Sequence, residues 1–176
     1  DSDLIRHASE FKGYIDNHKY EVSNEGIEFP TGNVLVHGEY FDDYGVEPNL
    51  LPTEGLNHLL MVALSNTAKL NNFYLALFSG DYTPTAAIKA STFSATATEI
   101  TSGAEGYSQA TRPVWTPGSA VSGQIDNNAT KAAFNIVTAS SVTIRGAALL
   151  SDSVKGSGAG VLISIARFGQ DRLEYN

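Results

Sequence analysis

Apolar and polar positions alternate most clearly near the end of the chain, in SVTIRGAALLSDSVKGSGAGVLISIARF at residues 141–168. Val142, Ile144, Val161, Ile163 and Ile165 fall on every second position, which places them on one face of a pleated sheet. Between the two runs lies a Ser- and Gly-rich stretch with two charges, residues 151–160. Two β-branched runs joined in this way predict an antiparallel hairpin. A second strand is predicted at residues 72–79, where Phe73, Leu75 and Leu77 face one way and Tyr74, Ala76 and Phe78 the other. With both faces apolar it belongs in the middle of a sheet.

The pattern changes period once. In the stretch near 53–65, Leu56, Leu59, Leu60, Ala63 and Leu64 follow the i, i+3, i+4, i+7, i+8 spacing of one buried helix face. Thr53 is placed to cap this helix, and Glu54 falls in its first turn, where an acid meets the positive end of the helix dipole. Shorter strands are predicted at 33–37, around Val121–Ile125 and over Ala132–Val137, with RPVW at 112–115 and an acidic turn at 39–47. Residues 80–106 are dominated by Gly, Ala, Ser and Thr, 18 of 27. This segment predicts a long loop with a short helix capped by Thr85 and running through Ile88 and Ala90 to Phe93, a loop long enough to pack on a neighbour.

Residues 1–32 keep neither period. Nine large apolar side chains are scattered there among charges, more than a solvated tail would carry, so the segment reads as an extended N-terminal arm that gains order against a partner. Phe11, Tyr14, Ile15, Tyr20, Ile27 and Phe29 are its candidate partner-binding residues. The expected architecture is all-β: a β-sandwich or jelly-roll-like body over 33–176, with one amphipathic helix, preceded by the arm at 1–32.

Composition narrows the function classes. The chain has no cysteine, so disulfides and thiolate metal sites are excluded. Its longest apolar runs, LLMVAL and FYLALF, are six residues each, against about 20 for a membrane span. No charged-then-apolar leader opens the chain. The net charge of −8 is concentrated early: residues 1–60 carry 12 acidic and 3 basic side chains. No Lys/Arg cluster offsets this, so neither nucleic acid nor membrane is an expected partner.

Candidate chemistry is sparse. The four histidines, His7, His18, His37 and His58, lack metal-site spacing, and no zinc or other metal or cofactor is expected. Glu39, Asp42, Asp43 and Glu47 supply oxygen ligands but not the alternating pattern of a calcium loop. Ser157 in Gly156–Gly160 is not central in a G-x-S-x-G elbow, and no histidine follows His58 to partner it. No phosphate-binding loop and no evident carboxylate pair occurs. Asn128-Ala129-Thr130 is a formal glycosylation sequon. Trp115 with Tyr74, Tyr82 and Tyr107 is the one candidate sugar-stacking set, but a single Trp among eight Tyr and eight Phe reads first as a core residue. The chain is therefore read as non-enzymatic.

Several stretches taken together resemble a group of tailed-bacteriophage structural proteins: VHGEYFDDYGVEPNLLPTEGLNHLL, NFYLALFSGDYTPTAA, TEI at 98–100, GYSQATRPVW at 106–115, AAFNI, and the final hairpin through GVLISIARF. The resemblance covers roughly 36–168 and is to capsid cement, or decoration, proteins, β-sandwich or jelly-roll bodies on the outer face of an icosahedral head. It implies a homodimeric or homotrimeric virion protein that binds the major capsid protein and carries no catalytic residue. Tail and head-fibre modules share similar β bodies, so a module binding host-surface glycan is the alternative expectation.

Overall fold

The structure is a computed structural model that describes residues 21–23, 26–28 and 38–175. The chain divides into two units, Asp1–Val36 and His37–Asn176. In the first, strands β1 (Glu21–Ser23) and β2 (Gly26–Glu28) form an antiparallel hairpin, with Val22 opposite Ile27. Phe11, Tyr14, Ile15, Tyr20 and Phe29, the side chain of Ile27 and the expected strand at 33–37 lie outside the described residues.

The second unit is built on a four-stranded antiparallel sheet. Its order is β10 (Leu162–Glu174), β9 (Val142–Leu150), β5 (Phe73–Phe78) and β7 (Val114–Trp115). β5 is central, as its two apolar faces predict. Two further two-stranded ladders pair β3 (Glu39–Asp42) with β4 (Gly45–Pro48), and β6 (Gly106–Tyr107) with β8 (Ile136–Val137). With two short helices, α1 (Thr53–Leu64) and α2 (Ala90–Ala97), the fold is largely β.

Each face of the sheet carries its own core. On one, Ala76, Phe78, Ala148, Leu150, Leu162 and Ile165 pack against Ile88 and against Ala90, Phe93 and Ala97 of α2. On the other, Leu77, Ile144, Ala147 and Phe168 pack against Ile100 and Tyr107, with Phe134 and Ile136 over them. The five alternating residues of the final hairpin therefore do not share one face. Two register shifts separate them. Leu162 pairs with Leu150 and Ser164 with Leu149, so Ile163 is an extra, bulged residue. A larger shift lies between Arg167, opposite Gly146, and Arg172, opposite Ile144. A bulge moves every later side chain to the opposite face. Ile165 thus enters the first core while Val142 and Ile144 enter or flank the second.

Helix α1 covers the outer edge of β10. Leu50 and Ile165 exchange both backbone hydrogen bonds, at 2.8 and 2.9 Å. One turn later Gly55 is buried so close to the carbonyls of Leu162 and Ile163 that a methyl group would collide with them. The N-cap is Pro52, with no side-chain cap, and the Thr53 amide is instead donated to Ala86. Glu54 does more than face its own helix dipole. Its Oε2 accepts the amides of Leu162 and Ala90, both at 2.8 Å. It thereby satisfies one of the otherwise unpartnered amides at the start of α2. The expected buried stripe holds only for the first turns: Leu56, Leu59 and Leu60 are half-buried, Ala63 is exposed and Leu64 stands out at 76%. The helix is anchored by its N-terminal glycine against a strand edge, while its last turn is exposed.

Other expectations are corrected. The acidic turn is the β3–β4 hairpin. Val121–Ile125 forms a single bridge, Val121 to Gln124, rather than a strand, and only Ile136–Val137 of the strand expected over Ala132–Val137 is extended in a ladder. The helix expected from Thr85 begins at Ala90, after a turn closed by the Ile88 amide on Thr85 O. The small residues of 80–106 serve mainly to bring α2 onto the unit's own sheet: Gly80 lies against Ala97, and its amide bonds the Ala97 carbonyl at 2.9 Å.

The Gly-rich loop between β9 and β10 is held by a buried ion pair. Arg112 Nε and Nη2 donate to Glu99 Oε1 and Oε2 at 2.7 and 2.8 Å, and both side chains are 0% exposed. The guanidinium also donates to the carbonyls of Asp152 and Ser157, and the Gly156 amide to Glu99. Lys155 lies over the Tyr107 ring, Nζ 3.5 Å from its centre, and donates to the Tyr107 carbonyl.

Candidate functional site

The sheet face carrying the second core is not closed along its whole length. Between that face, the β3–β4 hairpin and the 132–136 segment lies a cleft of about 360 Å³. Its floor is Leu75, Leu77, Ile144, Ala147 and Phe168, with Phe134 and Ile136 as one wall. Its rim is polar and aromatic: Phe41, Asp42, Asp43, Tyr44 and Glu47 from the hairpin, Arg172 and Glu174 from β10.

Local chemistry explains how each rim group gets there. In β3–β4, Asp42 pairs with Gly45 across a two-residue turn. Gly45 has φ +145°, a conformation that L side chains rarely adopt. Asp42 Oδ1 accepts the amides of Tyr44 and Gly45 at 2.8 and 3.1 Å, as Asp does when it closes a turn on its own backbone. On β10 the large register shift after Arg167 is braced by Asp171, which accepts from Arg145 and Arg167, each at 2.9 Å. That shift buries Phe168 in the floor and turns Arg172 and Glu174 toward the hairpin.

Arg172 joins the two elements. Its guanidinium sits between the rings of Phe168 and Tyr44, 4.4 and 5.0 Å from their centres. It donates to Asp42 Oδ2 at 3.0 Å and approaches Glu47 Oε1 at 3.5 Å. Glu47 also accepts the Gly169 amide, and Tyr44 donates its hydroxyl to Glu174. Tyr40 anchors the hairpin by its hydroxyl, 2.8 Å from Ser164 Oγ.

The charges act on one another accordingly. Partial burial pushes the Asp42 carboxyl up, but the Arg172 guanidinium and the turn amides outweigh it and hold the group below the usual carboxylate range. The negative charge of Glu174 raises the Tyr44 phenol, and burial raises that of Tyr40. Asp43, exposed at the hairpin tip, makes no hydrogen bond or ion pair among the described residues. The arrangement is suited to holding an apolar side chain on the floor and a cation at the rim.

Of the residues singled out from sequence, Asp42, Asp43 and Glu47 meet at this rim. Asp42 and Glu47 are turned onto Arg172 rather than onto a common ligand position. Among the described residues no three His, Asp or Glu side chains are grouped to hold a metal ion, and His58 is half-buried in α1. The sugar-stacking set is dispersed. Tyr107 is buried edge-on against Phe134 in one core, Tyr82 leans on the other, and Trp115 is half-buried with its edge on Phe73. Phe134, Phe168, Arg172 and Glu174 were not foreseen as a site. The signal for the last two was their i, i+2 spacing after FGQD, which puts both on one face of a strand. Compared with protein-family models, curated proteins and solved structures, the chain has no match.

Proposed function

We propose that the chain is a non-enzymatic structural protein that binds the outer surface of a phage capsid and cements neighbouring major capsid subunits. The observation that carries the reading is the open apolar cleft. Leu75, Leu77, Ile144, Ala147 and Phe168 form its floor beside exposed Phe41, Tyr44 and Val46. An apolar centre inside a polar rim is how a protein–protein interface is built. The exposed last turn of α1, with Met61 and Leu64, adds apolar surface of the same kind. The acidic first third favours a location on the head exterior, away from packaged DNA. In this reading the four-stranded sheet and the β6–β8 ladder facing it are a reduced sandwich or jelly roll, and the protein works as a homodimer or homotrimer.

The test is the composition of purified particles. A copy number close to that of the major capsid protein supports cementing. A few copies per particle would instead indicate a tail or portal component. The alternative, a fibre module binding host glycan, draws on Trp115, two of whose tyrosine partners, Tyr107 and Tyr82, pack into the two cores instead.

A further inference from the structure

We propose that the cleft accepts a short peptide segment in which an apolar side chain is flanked by lysine or arginine. This rests on reading the cleft as a partner-docking surface and adds the chemistry of the partner. Three observations carry it. The floor is aliphatic and aromatic, and its volume of about 360 Å³ lies at the lower end of the roughly 300–1,000 Å³ of ligand pockets, enough for one or two side chains.

The rim is charge-selective. Asp42, Asp43, Glu47 and Glu174 face two cations, Arg172 and the neighbouring Lys131, an excess of two negative charges. An anionic segment would be repelled and a cationic one attracted. Arg172 is already paired to Asp42 and Glu47, which among the described residues leaves Asp43 open to an incoming cation and Glu174 held by the Tyr44 hydroxyl.

The rim also already holds cations over rings. Besides Arg172 between Tyr44 and Phe168, Lys131 Nζ lies 5.2 Å over the ring of Phe41. Phe41 and Tyr44 are 41% and 60% exposed. A partner's Lys or Arg can lay its aliphatic stem on these rings and its charge toward Asp43 and Glu174.

The experiment uses the full chain, isotope-labelled, titrated with two capped peptides: acetyl-Lys-Leu-Phe-Lys-amide and acetyl-Glu-Leu-Phe-Glu-amide. The lysine peptide is expected to bind, with shift changes centred on Tyr44, Leu77 and Arg172, and more weakly as salt is raised. The glutamate peptide is expected not to bind. Asp43→Lys, at an exposed and unpaired position, leaves the fold intact; it should weaken the lysine peptide about 5-fold or more, roughly the effect of reversing one rim charge. Ala132→Trp, at the half-buried lip of the cleft, should abolish binding.

Equal binding of both peptides, indifference to Asp43→Lys, or shifts mapping away from the cleft would each overturn the proposal. So would sedimentation showing a second copy of the chain in the cleft, with self-association lost in Ala132→Trp. The two readings fail separately. If no peptide binds but Ala132→Trp strips the protein from particles, the basic segment is wrong and docking stands. If the lysine peptide binds but Ala132→Trp stays on particles, the basic segment stands and the capsid contact lies elsewhere.

Discussion

Arg112→Ala isolates the largest single electrostatic element of the fold. The guanidinium makes two bonds of 2.7 and 2.8 Å to Glu99, with both side chains fully buried. Removing it leaves the Glu99 carboxylate in the interior with the Gly156 amide, at 3.0 Å, as its remaining hydrogen-bond donor among the described residues. Breaking a buried pair from one side costs about 3–5 kcal/mol, because a charge is left without compensation. The carbonyls of Asp152 and Ser157 also lose a donor. They lie on a surface loop where water can replace it, so they add at most about 1 kcal/mol. A total loss of about 3–6 kcal/mol is a fifth or more of the ~5–15 kcal/mol that stabilises a typical domain. At roughly 2–4 °C per kcal/mol, the melting temperature should fall by about 6–24 °C.

Urea unfolding followed by circular dichroism measures this as a lower midpoint at unchanged slope. The double variant Glu99→Leu/Arg112→Met is the control, since it removes both charges and their desolvation together. It should recover at least half of the loss, as apolar replacements of buried pairs commonly do. An Arg112→Ala cost below about 1 kcal/mol, or a double variant no more stable than the single one, would refute the reasoning.

Three further outcomes are expected. Asp42, Asp152 and Asp171 have carboxyls held below their ordinary range, Asp152 chiefly by the Ser157 hydrogen bond and Asp171 by Arg145. The unfolded chain therefore binds protons first, so the stability they contribute is present above about pH 4 and is lost as pH falls through the folded values. Melting temperature against pH should drop in that acid window, and Asp42→Asn should make the drop shallower. Gly55→Ala should destabilise by about 1–3 kcal/mol in urea unfolding, because the added methyl meets the Leu162 and Ile163 carbonyls and α1 must lift from β10. A cost near zero would mean that α1 is not seated there. Thr98 ends α2 at φ +56°, where a β-branched residue is strained. Thr98→Gly should be neutral or stabilising by up to about 1 kcal/mol, against a clear loss for Thr98→Val, read from the same unfolding curves.

The elements that were legible in the sequence are those whose stability is local. The apolar run Phe73–Phe78 has two buried faces and lies in the centre of the sheet. The 3.6-residue spacing after Pro52 is a helix. The β-branched runs on either side of the Ser/Gly loop pair as β9 and β10. Face assignments along that hairpin failed because alternation carries side only until a bulge. The extra Ile163 and the Arg167–Arg172 shift each break the period, and nothing in the local residue types requires them. The stripe Leu56–Leu64 likewise predicted a buried face without saying against what, and its last turn is exposed.

The cleft lies further still from local pattern. Asp42 and Arg172 are 130 residues apart, and the acidic turn that invited a calcium reading is neutralised in part by a cation at the far end of the chain. Glu99 and Arg112 pose the same problem at shorter range: each reads as an ordinary surface charge until the loop folds over both. The sequence by itself determined periodicity, and with it helix α1, the strands of the final hairpin and which strand is central. Tertiary structure alone decided which charges are buried together and which apolar face stays open. Burial and ion pairing depend on distances between segments, and no pattern within one segment contains those distances.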